Sequence, residues 1–405
     1  MTVAYADFKD VNVQDYDAVV VGCGFAGAVS ANQFAEGGLK VLVIEQRAQI
    51  AGNMYDEEDE NGILVHRYGP HIFHTNSGTV WRWLRMFSGF TAYQHKVLTN
   101  WHGTYMPVPF NKNSMEIAFG EEKAEKLIQK LIDTFGDNTR VTITQLRDQE
   151  DPELKEVADF VYNNVFLYYT QKQWGLTPDQ VDPSVVARVP VLISRDDRYF
   201  QDAYQGMPVF GYTKLFEAML DVEGITVCLN TKAEDVFDLQ FQGEGDDAKV
   251  TAINIQGAPF EGPIVYTGPL DELLGARFGR LPYRSLDFVY ETHDVEYFQP
   301  CGTVNYTVSE DYTRITEFKH MVLGKKQNKT TIMKEYSRSY DDPATQIPYY
   351  AIINDENQAH YQRYLGMVEQ LGNFYPLGRL AEYKYYNMDV IIERALKVSR
   401  QILGK

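Results

Sequence analysis

The chain has 405 residues, 44% hydrophobic and 23% charged, which is enough for two or three domains around an ample core and too much for a lone binding module. A formal net charge of -18 repels polyanions and so excludes broad binding to nucleic acid or an anionic membrane; an anionic substrate would need a local arginine cluster. Cys23, Cys228 and Cys301 are odd in number, widely spaced and free of any C-x-x-C pair, which excludes a disulfide framework and a cysteine zinc site.

The chain starts on an acidic rather than a basic stretch, and no apolar run approaches the ~18 residues needed to span a bilayer, so the expected location is the cytoplasm. Tyr16 to Val21 reads as an apolar strand that runs into Gly22-Cys23-Gly24-Phe25-Ala26-Gly27 and then into a small-residue helix, Ala28 to Ala35. A second strand, Lys40 to Ile44, ends on Glu45. In this setting Gly22 permits a tight turn, Gly24 lets backbone amides approach a pyrophosphate, and Gly27 lets helix and strand pack closely. Glu45 falls near the ~20-residue offset expected of a carboxylate that accepts ribose hydroxyls. The plainer reading is a glycine turn that only joins strand to helix; the placement favours a dinucleotide.

Arg47 and Ala51-Gly52-Asn53 follow, a second close backbone approach with a cation to neutralise phosphate. Asp56 to Asn61, closed by Gly62, reads as a solvated hairpin turn before a strand Ile63 to Val65. His66, His71 and His74 lie close together, but their spacing matches no H-E-x-x-H pattern and no carboxylate or thiol partner is near in sequence, so no metal is expected. His71 equally suits a satisfied core position.

Helical spacing predicts Glu121 to Phe135, stopped by Gly136, and a further helix from Glu153 to Tyr169. This middle stretch reads as a helical insertion. Tyr168 to Gly175, then Arg188 and Tyr199-Phe200, set flat aromatic faces beside a helix end and an arginine on the following loop. Such a stripe alone is more often core. A helix Thr213 to Leu220, a strand Ile225 to Leu229, a hairpin around Gly243 to Asp246 and a strand Pro263 to Thr267 ending on Gly268 return the pattern to α/β. Leu286 to Tyr350 alternates, rich in Tyr, Thr and Val, and predicts an antiparallel sheet. Gly378 and Arg379 precede a final amphipathic helix whose Ile391, Ala395, Val398 and Ile402 share a face, with Asn387 or Asp389 as its cap.

With GCGFAG, HRYGPHIFHT, YTQKQWG, RVPV, DRYFQDAYQGMPVFGYTKL, YTGPLD, YRSL, YTRITEFKH and GRLAEYKYYNMD in order, the chain from Tyr16 onward resembles the bacterial-type UDP-galactopyranose mutases. The resemblance implies an α/β flavoprotein: a discontinuous FAD-binding Rossmann-type domain (16–92, 206–268 and 370–405), an inserted helical domain (111–205) with a mobile lid around 174–190, and an antiparallel β-sheet domain (93–110 and 269–369). It implies interconversion of UDP-galactopyranose and UDP-galactofuranose through a reduced-flavin N5-galactose adduct, with no net redox change. The implied partners are those sugar nucleotides and an unidentified reductant, with a homo-oligomer left open and no nucleic acid or membrane span.

By matching motif positions, Arg188 and Arg314 would stabilise the departing diphosphate and His74 would stand beside the flavin. Arg284 would be a further arginine near the site. Tyr199, Tyr350 and Tyr385 would bond the diphosphate, Tyr169 with Phe166 would hold the uracil, Thr170 would join them, and Trp174 would line the sugar pocket. FAD contacts would fall at Gly22, Gly24, Phe25, Gly27, Glu45, Gln46, Arg47, Gly52, Asn53, His71, Ile72, Gly268, Gly378, Arg379 and Met388, the last opening a helix whose amides favour anionic reduced flavin. The chain departs from the family pattern at Asn387 (commonly aspartate), Pro70 (a small residue), Ala51 (glycine) and His95 (asparagine near the sugar), so Asn387 and His95 are expected at the substrate. The competing readings are a flavin oxidase or dehydrogenase of a small molecule and a non-catalytic nucleotide-binding protein.

Overall fold

The valines of Ala18–Val21 are buried on both faces, as a strand inside a parallel sheet requires. The computed structural model describes residues 2–175, 190–322 and 328–404. Within them Ala18–Val21 is the centre of a five-stranded parallel sheet in the order Ile225–Cys228, Val41–Ile44, Ala18–Val21, Ile264–Tyr266, Phe374–Pro376. Three distant parts of the chain therefore build one sheet. The helix Phe25–Glu36 covers one face, packed against the C-terminal helix Met388–Ile402, so the two helices that open toward the sheet's carboxyl end lie side by side.

The second large sheet has seven strands, ordered Tyr350–Ala351, Tyr283–His293, Thr330–Ser339, Arg314–Glu317, Thr303–Tyr306, Val97–Trp101, Thr104–Val108. Its pairings are antiparallel except one: Thr303–Tyr306 runs parallel to Val97–Trp101. The alternation from Leu286 onward predicts the antiparallel part; the parallel seam joins strands far apart in sequence, and no local pattern encodes it. Leu127, Leu131, Val157, Ala158 and Val161 form a separate apolar cluster among the helices Glu121–Phe135 and Pro152–Val161.

The Glu153 to Tyr169 helix is interrupted. Pro152–Val161 is α-helical, Tyr162–Phe166 widens into a π turn, and Leu167–Trp174 resumes. A π turn adds one residue to the helical period and so re-aims the side chains beyond it. The acidic run after Tyr55 is a hairpin in which Asp56–Glu58 pairs with Leu64–His66. The predicted hairpin at 243–246 joins Phe237–Gln242 to Lys249–Ile255. Asn387 does stand at the N-cap of Met388–Ile402, without a side-chain capping bond.

Candidate active site

Two adjoining cavities open at the carboxyl end of the parallel sheet, where Rossmann-type folds bind ligands. The first is lined by the glycine-rich turn, the end of the second strand and the start of the C-terminal helix. Gly22, Gly24, Phe25, Glu45, Gln46, Arg47, Gly52, Asn53, His71, Gly268, Gly378, Arg379 and Met388 meet there, brought from five parts of the sequence. Ile72 lines the second cavity instead. Gly27 lines neither; a Cβ built on it would lie 1.8 Å from the Gly22 carbonyl oxygen, so it sets the helix-to-turn distance.

The walls of the first cavity fit a dinucleotide. The helix Phe25–Glu36 starts at Gly24 with no side-chain cap, which leaves its first amides to an anion. Glu45 is buried and accepts from the Cys23 and Arg47 amides, each at 2.8 Å, which aligns the turn with the strand end. Arg47 Nη1, Arg379 Nη2 and His71 Nδ1 are buried polar atoms without a hydrogen-bond partner, a pattern that a bound anionic cofactor satisfies.

Asn53, His71, Arg379, Tyr386 and Met388 belong to both cavities, which makes the two continuous. His74, His95, Tyr169, Trp174, Tyr199, Arg314, Tyr350, Tyr385 and Asn387 line the second. At its floor Arg314 stands directly across the antiparallel pair from Glu335, with Nε 3.0 Å and Nη2 2.9 Å from the same carboxylate oxygen. Glu335 is almost wholly buried. Burial opposes the Arg314 charge, but the carboxylate outweighs it and holds the guanidinium above its ordinary pKa. The Tyr350 hydroxyl is pushed up to about 12, by burial first and by Glu335 second, and is a neutral hydrogen-bond donor at pH 7. Trp174 and Tyr385 flank Tyr350 with ring centroids at 5.7 and 6.1 Å, and the Arg379 guanidinium lies 4.5 Å over Tyr385.

Three of the named residues lie elsewhere. Phe166 is buried in the helical cluster, Thr170 is buried on the same helix, and Arg284 lies behind the helix end. Arg284 donates to the Gln173 carbonyl at 3.1 Å and the Ser337 hydroxyl at 3.0 Å, so its charge is committed to the C-terminus of Leu167–Trp174. Arg188 and the rest of the presumed lid, 176–189, lie outside the described residues. Phe200, noted beside Tyr199 for its aromatic face, reaches the cavity, and Glu335, Gln173 and Asp202 reach it without having been singled out. The signal for Glu335 was a carboxylate in the middle of the strand Thr330–Ser339, and Gln173 and Asp202 sat inside stretches already noted for their pattern. Among the described residues no group of three or more His, Cys, Asp and Glu side chains could hold a metal, and no helix is long and apolar enough to cross a membrane.

His95 is buried, its Nδ1 2.9 Å from the Tyr93 hydroxyl. Burial, then the Arg314 and His74 charges, pull its pKa down to about 3. An unfolded histidine titrates near ~6.5, so between about pH 6.5 and 3 the unfolded chain binds the extra proton, and the stability present above 6.5 is lost as the pH falls. Urea unfolding between pH 7 and 4.5 is expected to give His95→Asn a slope shallower than the parent by up to ~1.4 kcal/mol per pH unit. Equal slopes would mean that His95 takes up a proton in the folded protein.

A family model described as UDP-galactopyranose mutase matches residues 164–385, more than half of the chain, and one described as an NAD(P)-binding Rossmann-like domain matches 20–87. A probable UDP-galactopyranose mutase of Klebsiella pneumoniae is 34% identical over 95% of this chain and 94% of its own length. A dTDP-fucopyranose mutase of Escherichia coli is 33% identical over 94% and 97%. Among solved structures, a reduced UDP-galactopyranose mutase superposes with a TM-score of 0.66 at 16% identity, covering 96% of this chain and 94% of that one, which speaks for the fold.

Proposed function

The chain belongs to the UDP-galactopyranose mutase family, and from that premise we propose that it interconverts UDP-galactopyranose and UDP-galactofuranose with FAD in the first cavity and the sugar nucleotide in the second. The observation that carries this reading is the Arg314–Glu335 pair set among tyrosines at the floor of a cavity continuous with the dinucleotide site. An oxidase acting on a neutral or cationic small molecule has no use for a charged guanidinium there.

FAD, when bound and reduced, supplies the nucleophile for the anomeric carbon. The rest falls to the chain's own side chains. Arg314, with the neutral Tyr350 and the Tyr385 and Tyr199 hydroxyls, receives the diphosphate as it departs and keeps it in place for its return. Arg188 is the second cation proposed for that task. Tyr169 offers the uracil a face, and Phe166 supports it from the helical cluster rather than touching the base. Arg284 holds the helix that carries Trp174, a supporting role. His95 and Asn387 border the sugar.

Purified protein reduced with dithionite and given UDP-galactofuranose is expected to return mostly UDP-galactopyranose, resolved by anion-exchange chromatography, with the flavin still reduced afterward. Turnover of dTDP-fucopyranose alone would transfer the reading to the chemistry of the Escherichia coli relative. Stoichiometric flavin reduction by a substrate, with release of an oxidised product, would replace the mutase by an oxidase.

A further inference from the structure

The short strand Tyr204–Gly206 lies antiparallel on Phe73–Thr75, with Gln205 opposite His74. This pairing draws the preceding residues, Phe200 to Ala203, across the His74 side chain. The His74 and Phe200 rings stack with centroids 3.6 Å apart and planes inclined by 13°. Asp202 Oδ2 lies 3.0 Å from His74 Nδ1. The other carboxylate oxygen accepts from the Asn76 side-chain amide at 2.7 Å, and the Asn76 oxygen in turn accepts from the Ala203 backbone amide at 2.9 Å. His74 and Asp202 both line the second cavity, with side chains 15% and 22% exposed.

An ionised carboxylate can only accept, so the hydrogen of this pair resides on Nδ1, and Nε2 is the nitrogen that can exchange a proton. Stacking fixes the plane of the ring, and Asn76 keeps the carboxylate from turning away. An imidazole held in one plane and one tautomer at a cavity wall is equipped for proton transfer.

The change of ring size calls for such a group. The bond from C1 to the ring oxygen O5 breaks and one from C1 to O4 forms; O5 gains a proton and the 4-hydroxyl loses one, with no net uptake. An imidazolium paired with Asp202 that gives its Nε2 proton to O5 and takes one back from O4 ends as it began. His95, on the far side of Phe200 with centroids 6.0 Å apart, is committed to Tyr93 and buried beside Arg314. It is poorly placed to carry charge.

We propose that Asp202 is a positioning residue that fixes His74 with Nδ1 protonated and so makes it the proton carrier between O5 and O4 of the sugar. The carrier half rests on the mutase reading above; the positioning half does not.

The test uses FAD-loaded protein labelled with 15N-histidine, with His74→Gln to assign the His74 signals, and the variants Asp202→Asn and Asp202→Glu. In the parent the His74 signals are expected to report a protonated Nδ1, a state that Asp202→Asn loses and Asp202→Glu keeps. In Asp202→Asn, kcat is expected to fall roughly 10²-fold while KM stays within about threefold, and Asp202→Glu to recover most of the loss. Unchanged His74 signals in Asp202→Asn would overturn the positioning half. A kcat within about threefold of the parent, or a loss confined to KM, would overturn the carrier half. If the parent does not turn over UDP-galactofuranose at all, the mutase reading and the carrier half fall together, while the nitrogen spectra still decide what Asp202 does to His74.

Discussion

Arg314→Ala is expected to lower kcat for UDP-galactofuranose about 10²- to 10³-fold, the scale on which a preorganised electrostatic contact to developing charge is lost, while the protein keeps its flavin. The reason is where the guanidinium lies. It is anchored by Nε and Nη2 to one oxygen of Glu335 on the neighbouring strand and belongs to the wall of the second cavity, away from the residues that line the first. The same substitution strands Glu335, whose side chain is 1% exposed. Breaking such a pair from one side costs about 3–5 kcal/mol, so the thermal midpoint should fall as well. The double variant Arg314→Ala with Glu335→Gln separates the two effects: the midpoint should largely recover and the turnover should not. Recovery of activity in the double variant would mean that Arg314 matters only as a partner for Glu335. Full activity in Arg314→Ala would remove it from the diphosphate altogether.

Gly27→Ala should abolish retention of the yellow cofactor and lower stability in the same preparation. The added Cβ would lie 1.8 Å from the Gly22 carbonyl oxygen, and that contact is backbone, with no flexible side chain to yield. Relief requires moving the helix Phe25–Glu36 off the turn, which withdraws its N-terminal amides from the phosphate position. Gly24→Ala makes the informative contrast. Its Cβ meets nothing within 4 Å and its φ of -79° suits any residue, so the apoprotein should unfold at the parent's midpoint. The methyl group would nonetheless stand at the helix N-terminus, and flavin affinity should drop. Fluorescence titration of the apoproteins with FAD, beside thermal melts, measures both quantities. A Gly27→Ala protein that binds FAD normally would show that the turn can shift without consequence.

The glycine-rich turn, the strand and helix around it and the carboxylate at Glu45 could be read directly because each depends on neighbours within a few tens of residues. The same holds for the helices Glu121–Phe135 and Met388–Ile402, whose apolar spacing is local. The motif resemblance named the residues of the second cavity but could not say which of them share a surface. Arg284 illustrates this: an arginine in a noted motif, it caps the helix Leu167–Trp174 because the register of Tyr283–His293 against Thr330–Ser339 carries it behind that helix. Phe166 turns into the helical cluster because a π turn changes the period at Tyr162, and a hydrophobic pattern alone does not report such a turn.

What the sequence determined by itself is the dinucleotide turn and the family, since both reside in contiguous residue types and spacings. What only the tertiary structure decided is the pairing of Arg314 with Glu335 and of His74 with Asp202, which are set by strand register between segments 21 and 128 residues apart. Register is fixed by burial of whole strand faces, and so belongs to the packed chain rather than to any short stretch of it.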